Sequence, residues 1–148
     1  MRLLASTILA LGISGSSLLA QDIPESQVPE AVRNAFAREY ANPTDVDWEK
    51  ERGNFEVDFE LGGLDHVALF NPDGQLLKAK KDIREADLPS AVRQRIADDH
   101  AKFTIDDVDE LTVEGRVYYQ VELDGRFRDR KVVYAGDGQE AKDVKYWD

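Results

Sequence analysis

The sequence predicts an α+β fold built from a tandem repeat of two units, each one helix followed by a four-stranded antiparallel β-meander. Two internal repeats support this prediction. Segment 67–75 recurs at 131–139, and both copies end in Asp-Gly-Gln. Segment 28–33 recurs at 88–93 with the same Pro and Ala-Val-Arg positions. Because a unit that occurs twice buries its apolar face against its neighbour, we expect one compact domain with both helices packed on one face of the sheet.

Each predicted unit begins with an amphipathic helix. From Pro29 to Tyr40, apolar side chains recur at spacings of three and four residues. The proline lies in the first turn, where its missing N–H costs no hydrogen bond. The second helix is predicted from Pro89 to about His100 by the same pattern.

After each helix the hydrophobic period changes to two, which is typical of half-buried strands. In the first unit, turn residues at 52–53, 62–63 and 71–74 separate four strands. The second unit follows a joint at 83–87. Its predicted strands lie near 108–114, 117–123, 131–134 and 139–147.

Residues 1–20 have the composition of a secretory signal peptide. Arg2 precedes an apolar run from Leu3 to Ile13, and small residues lead to Ala20. The run is shorter than the roughly 20 apolar residues that span a bilayer. We therefore expect cleavage near Ala20 and a periplasmic or secreted protein without membrane insertion, with unit 1 at 21–83 and unit 2 at 84–148. An uncleaved anchor is the alternative.

The charge balance narrows the class of partner. The chain has 19 basic and 30 acidic residues and no cysteine. Loss of Arg2 with the signal peptide leaves 18 basic residues and a net charge of −12. Such a surface repels nucleic acid and anionic lipid, so a partner selected by charge is a basic protein or a cation. Without disulfides, the fold depends on packing.

Catalytic motifs are absent from the sequence. It contains no His-Glu-x-x-His, no Gly-rich phosphate loop, no nucleophile elbow and no cysteine. We interpret His66 and His100 as structural residues at a hairpin and a helix end. Segment 106–110 has acids that a calcium site could use but lacks the loop spacing, so we expect the solvent-exposed start of a strand. We predict no enzyme activity and no cofactor.

The candidate binding surface is the sheet face opposite the helices. A two-residue turn at 52–53 sets Glu49 against Glu56 and Asp47 against Asp58. Directly opposed like charges destabilise a sheet by about 0.2–1 kcal/mol per pair, so a binding role would explain them. The predicted partner-binding residues are Asp47, Glu49, Glu56, Asp58, Glu60, Val67 and Leu69.

The same register predicts apolar pairs on the other face of the sheet. There Trp48 lies opposite Val57 and Val46 lies opposite Phe59, so that their apolar side chains meet beneath the helix. An alternative interpretation of the candidate surface is that its acids protect exposed strands from aggregation and that its apolar residues pack against the second unit.

Several segments resemble one known family. These are Trp-Glu-Lys-Glu at 48–51, Phe-Glu-Val-Asp-Phe at 55–59, Asp-Gly-Gln-Leu-Leu at 73–77, and the Leu/Val-Pro-x-Ala-Val start of each helix. They look like the PepSY-like, β-lactamase-inhibitor-protein-like domains of bacterial exported proteins, and the resemblance spans 24–148. Related domains restrain peptidases, and the namesake inhibitor covers a β-lactamase active site with its sheet. The resemblance implies an exported, non-catalytic module whose sheet face binds, and inhibits or restrains, a periplasmic protein such as a peptidase. A calcium-type cation site or basic-ligand site on the acidic face is the alternative.

Overall fold

The computed structural model describes residues 21–148, and the predicted signal peptide lies outside the described residues. Within them, eight antiparallel strands form one sheet in chain order. Helix α1 (Glu30–Glu39) follows the first strand and helix α2 (Ser90–Asp99) follows the fifth. The strands are β1 (Gln21–Ile23), β2 (Thr44–Glu51), β3 (Asn54–Leu61), β4 (Leu64–Phe70), β5 (Leu76–Asp82), β6 (Phe103–Val113), β7 (Arg116–Gly125) and β8 (Arg130–Ala135).

Both helices pack on the same face of the sheet, as the sequence predicts. Val32 of α1 and Val57 of β3 belong to one buried cluster. Val92 of α2 and Val121 of β7 belong to a second. The strand register places Val57 and Val121 on the same side of the sheet. This face therefore holds two helix-covered cores side by side.

The opposite side of the sheet, called the outer face here, carries a third buried cluster. Leu69 of β4, Leu111 of β6 and Val133 of β8 meet Trp147 there. Trp147 belongs to the C-terminal segment 139–148, which crosses the outer face after β8. The C-terminal segment thus packs on strands from both halves of the chain.

The C-terminal segment corrects one strand prediction. A strand was expected at 139–147, but only an isolated bridge between Tyr134 and Glu140 forms. The backbone N–H of Ala141 still donates to the carbonyl of Val133 at 2.8 Å. Beyond that bond the chain leaves β8, because Trp147 packs on the outer face rather than at the edge.

The structure also extends the predicted sheet at two places. The polar segment 21–27 contains β1, which pairs with β2, and a 3-10 turn at Glu25–Gln27. Strand β6 begins at Phe103 rather than near 108. A register shift between Ile105 and Asp107 interrupts the alternation that would have shown this earlier start.

The predicted register of the first hairpin is confirmed except at its open end. Trp48 lies opposite Val57. A bulge between Thr44 and Asp47, where Asp45 has a φ of +49°, interrupts the pairing. Val46 is therefore not paired with Phe59 and remains 37% exposed, contrary to the prediction.

Two hairpin turns pack closely on the helices. Gly74, at the turn after β4, lies against Ala31 of α1, and a Cβ on Gly74 would lie 2.5 Å from the Ala31 carbonyl oxygen. Gly138, at the turn after β8, lies against Ala91 of α2, and a Cβ there would lie 2.6 Å from the Ala91 carbonyl oxygen. Each turn fixes a helix over its strands at a position that only glycine fits.

No helix in residues 21–148 is long and apolar enough to cross a membrane.

Candidate binding face

The acidic pairs predicted from the sequence lie on the outer face. Asp47 is opposite Asp58, and Glu49 is opposite Glu56. Strand β1 adds Asp22 opposite Glu49, so that carboxylates from three adjacent strands form one surface. Asp22 is not among the residues predicted from the sequence, because segment 21–27 is polar and gives no strand signal. The period-two pattern that reveals strands cannot be recognised in a strand of three residues.

Four of these five carboxylates line a shallow pocket at the β1–β3 edge of the sheet. The pocket has a volume of about 460 Å³ and is lined by Asp22, Ile23, Asp47, Trp48, Glu49 and Asp58. We call Asp22, Asp47, Glu49, Glu56 and Asp58 the acidic patch. A concave surface lined by several carboxylates suits a cationic side chain.

Burial and mutual repulsion favour the protonated form of three of these acids. Partial burial, followed by the charge of Asp58, raises the pKa of Glu56 to about 7. Burial, opposed by Lys80, also raises the pKa of Asp58. The pKa of Glu49 is raised by burial and then by the charges of Asp58 and Asp22. Ionisation of these three acids therefore has an energetic cost, which a cationic partner would offset.

The outer face changes from acidic to basic across β4. Leu69 lies between Glu56 and Lys78, and Val67 lies between Asp58 and Lys80. Burial lowers the pKa of Lys78, and the charge of Glu56 partly opposes this effect. Acidic and basic halves of the face therefore lie about two strands apart.

The remaining predicted residues differ in accessibility. Glu60 is half-buried and pairs with Asp65 on β4. Val67 is half-buried, but Leu69 is only 7% exposed because it packs in the cluster around Trp147. For Leu69 the structure agrees with the alternative interpretation, in which the apolar residues pack against the second half of the chain. A partner reaches this leucine only if the C-terminal segment moves.

Segment 106–110 is less exposed than predicted, because Val108 is buried in the second core and Asp109 is buried on the outer face. Asp109 is 2% exposed, although Asp106 and Asp107 are exposed as predicted. The side-chain Nε2 of Gln120 donates to its Oδ2 at 2.5 Å. Burial and the neighbouring Asp109 carboxyl raise the pKa of Asp82, which lies opposite it on β5. Asp109 is buried because the C-terminal segment covers this part of the sheet.

The two histidines contact aromatic rings on the helix-covered face. His66 stacks on Phe59 with ring centroids 5.2 Å apart, and His100 meets the ring of Phe103 edge-on at 5.6 Å. Among the described residues, no group of three or more His, Cys, Asp or Glu side chains is arranged to hold a metal ion.

Comparison with known proteins identifies the family. Residues 18–78 and 53–139 match the family described as "Putative beta-lactamase-inhibitor-like, PepSY-like". No match is found among curated proteins.

Solved structures share the fold at low sequence identity. A Bacteroides fragilis BLIP-like protein has a TM-score of 0.67 and 20% identity, covering 76% of this chain and 82% of its own. A Bacteroides uniformis DUF2874 family protein has a TM-score of 0.72 and 18% identity, covering 77% and 86%. A Bacteroides eggerthii structure described as "putative periplasmic proteins" has a TM-score of 0.72 and 17% identity, covering 78% and 86%. With the family matches spanning most of its length, this chain belongs to the PepSY-like, beta-lactamase-inhibitor-like family.

Proposed function

We propose that this chain is an exported, non-catalytic binding module that uses the acidic patch to bind a basic protein partner in the periplasm. Inhibition or restraint of a periplasmic enzyme, such as a peptidase, is the role that best fits its family. In this proposal the signal peptide is cleaved near Ala20, and the two repeat units cover 21–83 and 84–148.

The observation that carries the proposal is the opposition of like charges on β1, β2 and β3. Asp47 pairs with Asp58, and Glu49 pairs with both Glu56 and Asp22. Each such pair weakens the sheet. In the described part of the chain, no basic side chain forms an ion pair within 4.0 Å of these five acids. An arginine or lysine of a partner would supply the missing positive charge.

The position of the patch also suits binding to a protein surface. The patch lies on the face that the helices leave uncovered and extends to the exposed edge strand β1. Asp22 and Asp47 are exposed, and Glu49, Glu56 and Asp58 are half-buried. Half-buried charges interact more strongly with a partner than fully solvated ones because less water screens them.

A capture experiment followed by titration tests the proposal. Residues 21–148 serve as bait in periplasmic extract of the producing organism, and each captured protein is purified and titrated by calorimetry. The test variant carries Asp47→Asn, Glu49→Gln, Glu56→Gln and Asp58→Asn. We expect it to bind the partner at least about tenfold more weakly, and the wild-type affinity to fall with added salt.

A control variant with the same change in net charge distinguishes binding at the acidic patch from a general effect of the protein's charge. Glu30→Gln, Glu39→Gln, Asp73→Asn and Asp98→Asn remove four charges at exposed positions outside the acidic patch. This control should retain most of the affinity. Equal weakening by both variants would show that the partner responds only to net charge, and unchanged affinity in the test variant would refute the assignment.

A further inference from the structure

We propose that the outer face carries a second binding site, for an extended peptide segment that presents an aromatic side chain followed by an acidic one. The chain's own C-terminal residues 144–148 occupy this site, and a partner segment of the same chemistry replaces them. The site extends from Leu69 of β4 to β8, its charged residues are lysines rather than carboxylates, and it does not depend on the proposed function.

The site binds backbone through the side chain of Gln120. The backbone N–H of Trp147 donates to Gln120 Oε1 at 3.0 Å, and Gln120 Nε2 donates to the Trp147 carbonyl at 2.9 Å. Lys80 Nζ donates to the same carbonyl at 3.1 Å. Gln120 is fully buried. Its amide thus binds both backbone groups of one residue, as a neighbouring strand would, and any residue type except proline can supply those groups.

The site also recognises an aromatic ring. Trp147 packs against Leu69, Leu111 and Val133, which leaves it 8% exposed. The ammonium group of Lys78 lies 3.7 Å from the centre of the Trp147 ring. Partial burial of Lys78 strengthens this cation–π contact because water competes less for the ammonium group. An aliphatic side chain could fill the space but could not bind the cation.

An acidic residue is favoured directly after the ring. Lys131 on β8 forms an ion pair with Asp148 and lies 4.9 Å from the Tyr146 ring centre. Lys78 and Lys80 contact Trp147, and Lys131 contacts Asp148 and Tyr146. The basic half of the outer face is therefore matched to a segment with the charge and aromatic character of Tyr-Trp-Asp.

The C-terminal segment is attached in a way that allows its replacement. It forms no helix or strand after the bridge at Glu140, and Trp147 is the only buried residue among 141–148. Residues 144–148 can therefore leave without breaking a strand ladder. Departure would leave the buried amide of Gln120 without its backbone partners, a cost that a replacing segment removes.

A peptide-binding measurement on the full mature chain tests this proposal. The probe is a fluorescently labelled synthetic peptide with the sequence of residues 140–148. We expect it to bind the Trp147→Ala chain at least about tenfold more tightly than wild type, whose own segment competes at high effective concentration. Binding should be lost when the peptide carries Ala in place of its Trp, or when the chain carries Gln120→Ala as well.

Three outcomes would overturn the proposal. The first is absence of saturable binding to a Trp147→Ala chain that keeps the wild-type circular dichroism, and the second is equal affinity for this chain and wild type. A concentration-dependent wild-type dimer together with failure of the peptide to bind would assign the site to a second copy instead.

Hydrogen exchange on wild type provides a test that does not rely on the variant folding. The proposal requires that the Trp147 amide exchange by local opening, much faster than the central sheet amide of Val57. Equal, slow exchange at both amides would show that the segment leaves only on global unfolding and would refute its replacement by a partner.

Discussion

The partly buried carboxyl group of Glu56 should make the stability of the protein depend on pH. Its pKa is raised from 4.5 to about 7, mainly by burial. The folded state therefore holds the proton more tightly than the unfolded state, and stability falls as pH rises from about 4.5 to about 7. Glu56→Gln should stabilise the protein by about 1 kcal/mol at pH 8, after allowance for solvent screening, and by almost nothing at pH 4.

Urea unfolding at both pH values measures this effect. Glu30→Gln, at an exposed position on α1, is the control and should change stability equally at pH 4 and pH 8. If Glu56→Gln behaves like this control, burial of the Glu56 carboxyl does not cause the pH dependence.

The buried amide of Gln120 connects three polar groups and should be important for stability. It bonds Asp109 and both backbone groups of Trp147. Gln120→Leu keeps the size of the side chain but removes the partner of the Trp147 N–H and one donor to Asp109, while the Trp147 carbonyl keeps its bond from Lys80. We therefore expect a loss of about 2–3 kcal/mol in urea unfolding. Gln94→Leu, which removes an exposed amide bonded to Asp98 on α2, should cost less than about 0.5 kcal/mol. Similar losses in the two variants would contradict this role for Gln120.

Contacts between residues that are close in the sequence can be predicted better than burial caused by a segment far along the chain. The opposition of Glu49 and Glu56 follows from one turn and the alternation of two strands. The burial of Asp109 depends on Gln120 and on the segment at Trp147, which lies far along the chain. No local pattern contains that information.

At the scale of elements, the contact of each hairpin turn with its helix can be tested by substitution. Gly74 and Gly53 both have positive φ, at +82° and +88°, but only Gly74 lies close to a helix. Gly53→Ala should cost about 1–2 kcal/mol for the left-handed backbone alone. Gly74→Ala should cost about 1–3 kcal/mol more, because its Cβ would clash with the Ala31 carbonyl.

The second half of the chain provides a matching pair of positions. Gly138 lies against Ala91, whereas Gly115 has open space around it. Thermal unfolding of the Ala variants should show the same excess loss at Gly138 over Gly115. Equal losses within each pair would mean that the turns do not position the helices.

The strand predicted at 139–147 does not form, although its counterpart in the first unit does. Its counterpart β5 lies between β4 and β6 and buries Leu76 against the first core. In the second copy Glu140 replaces that leucine, and no described strand follows to pair with its outer edge. The segment lacks both the apolar anchor and the second ladder, so it crosses the outer face instead.

At the scale of the whole molecule, the pairing of β5 with β6 joins the two halves into one sheet. Trp147 strengthens this connection because its cluster contains Leu69 from the first half and Leu111 from the second. The two halves therefore share a strand ladder and, on the outer face, one apolar cluster. Independent unfolding of the halves would expose this shared surface, which favours a single cooperative transition.

Two matched core substitutions test this cooperativity. Val32 of α1 and Val92 of α2 are fully buried at equivalent repeat positions. Val32→Ala and Val92→Ala should each lower the free energy of unfolding by about 2 kcal/mol.

In either variant, tryptophan fluorescence and circular dichroism should report the same urea midpoint. The fluorescence comes from Trp48 in the first core and Trp147 in the shared outer cluster. A midpoint that moves for only one probe would show that the halves unfold separately, and the sheet would then join two domains that retain independent stability.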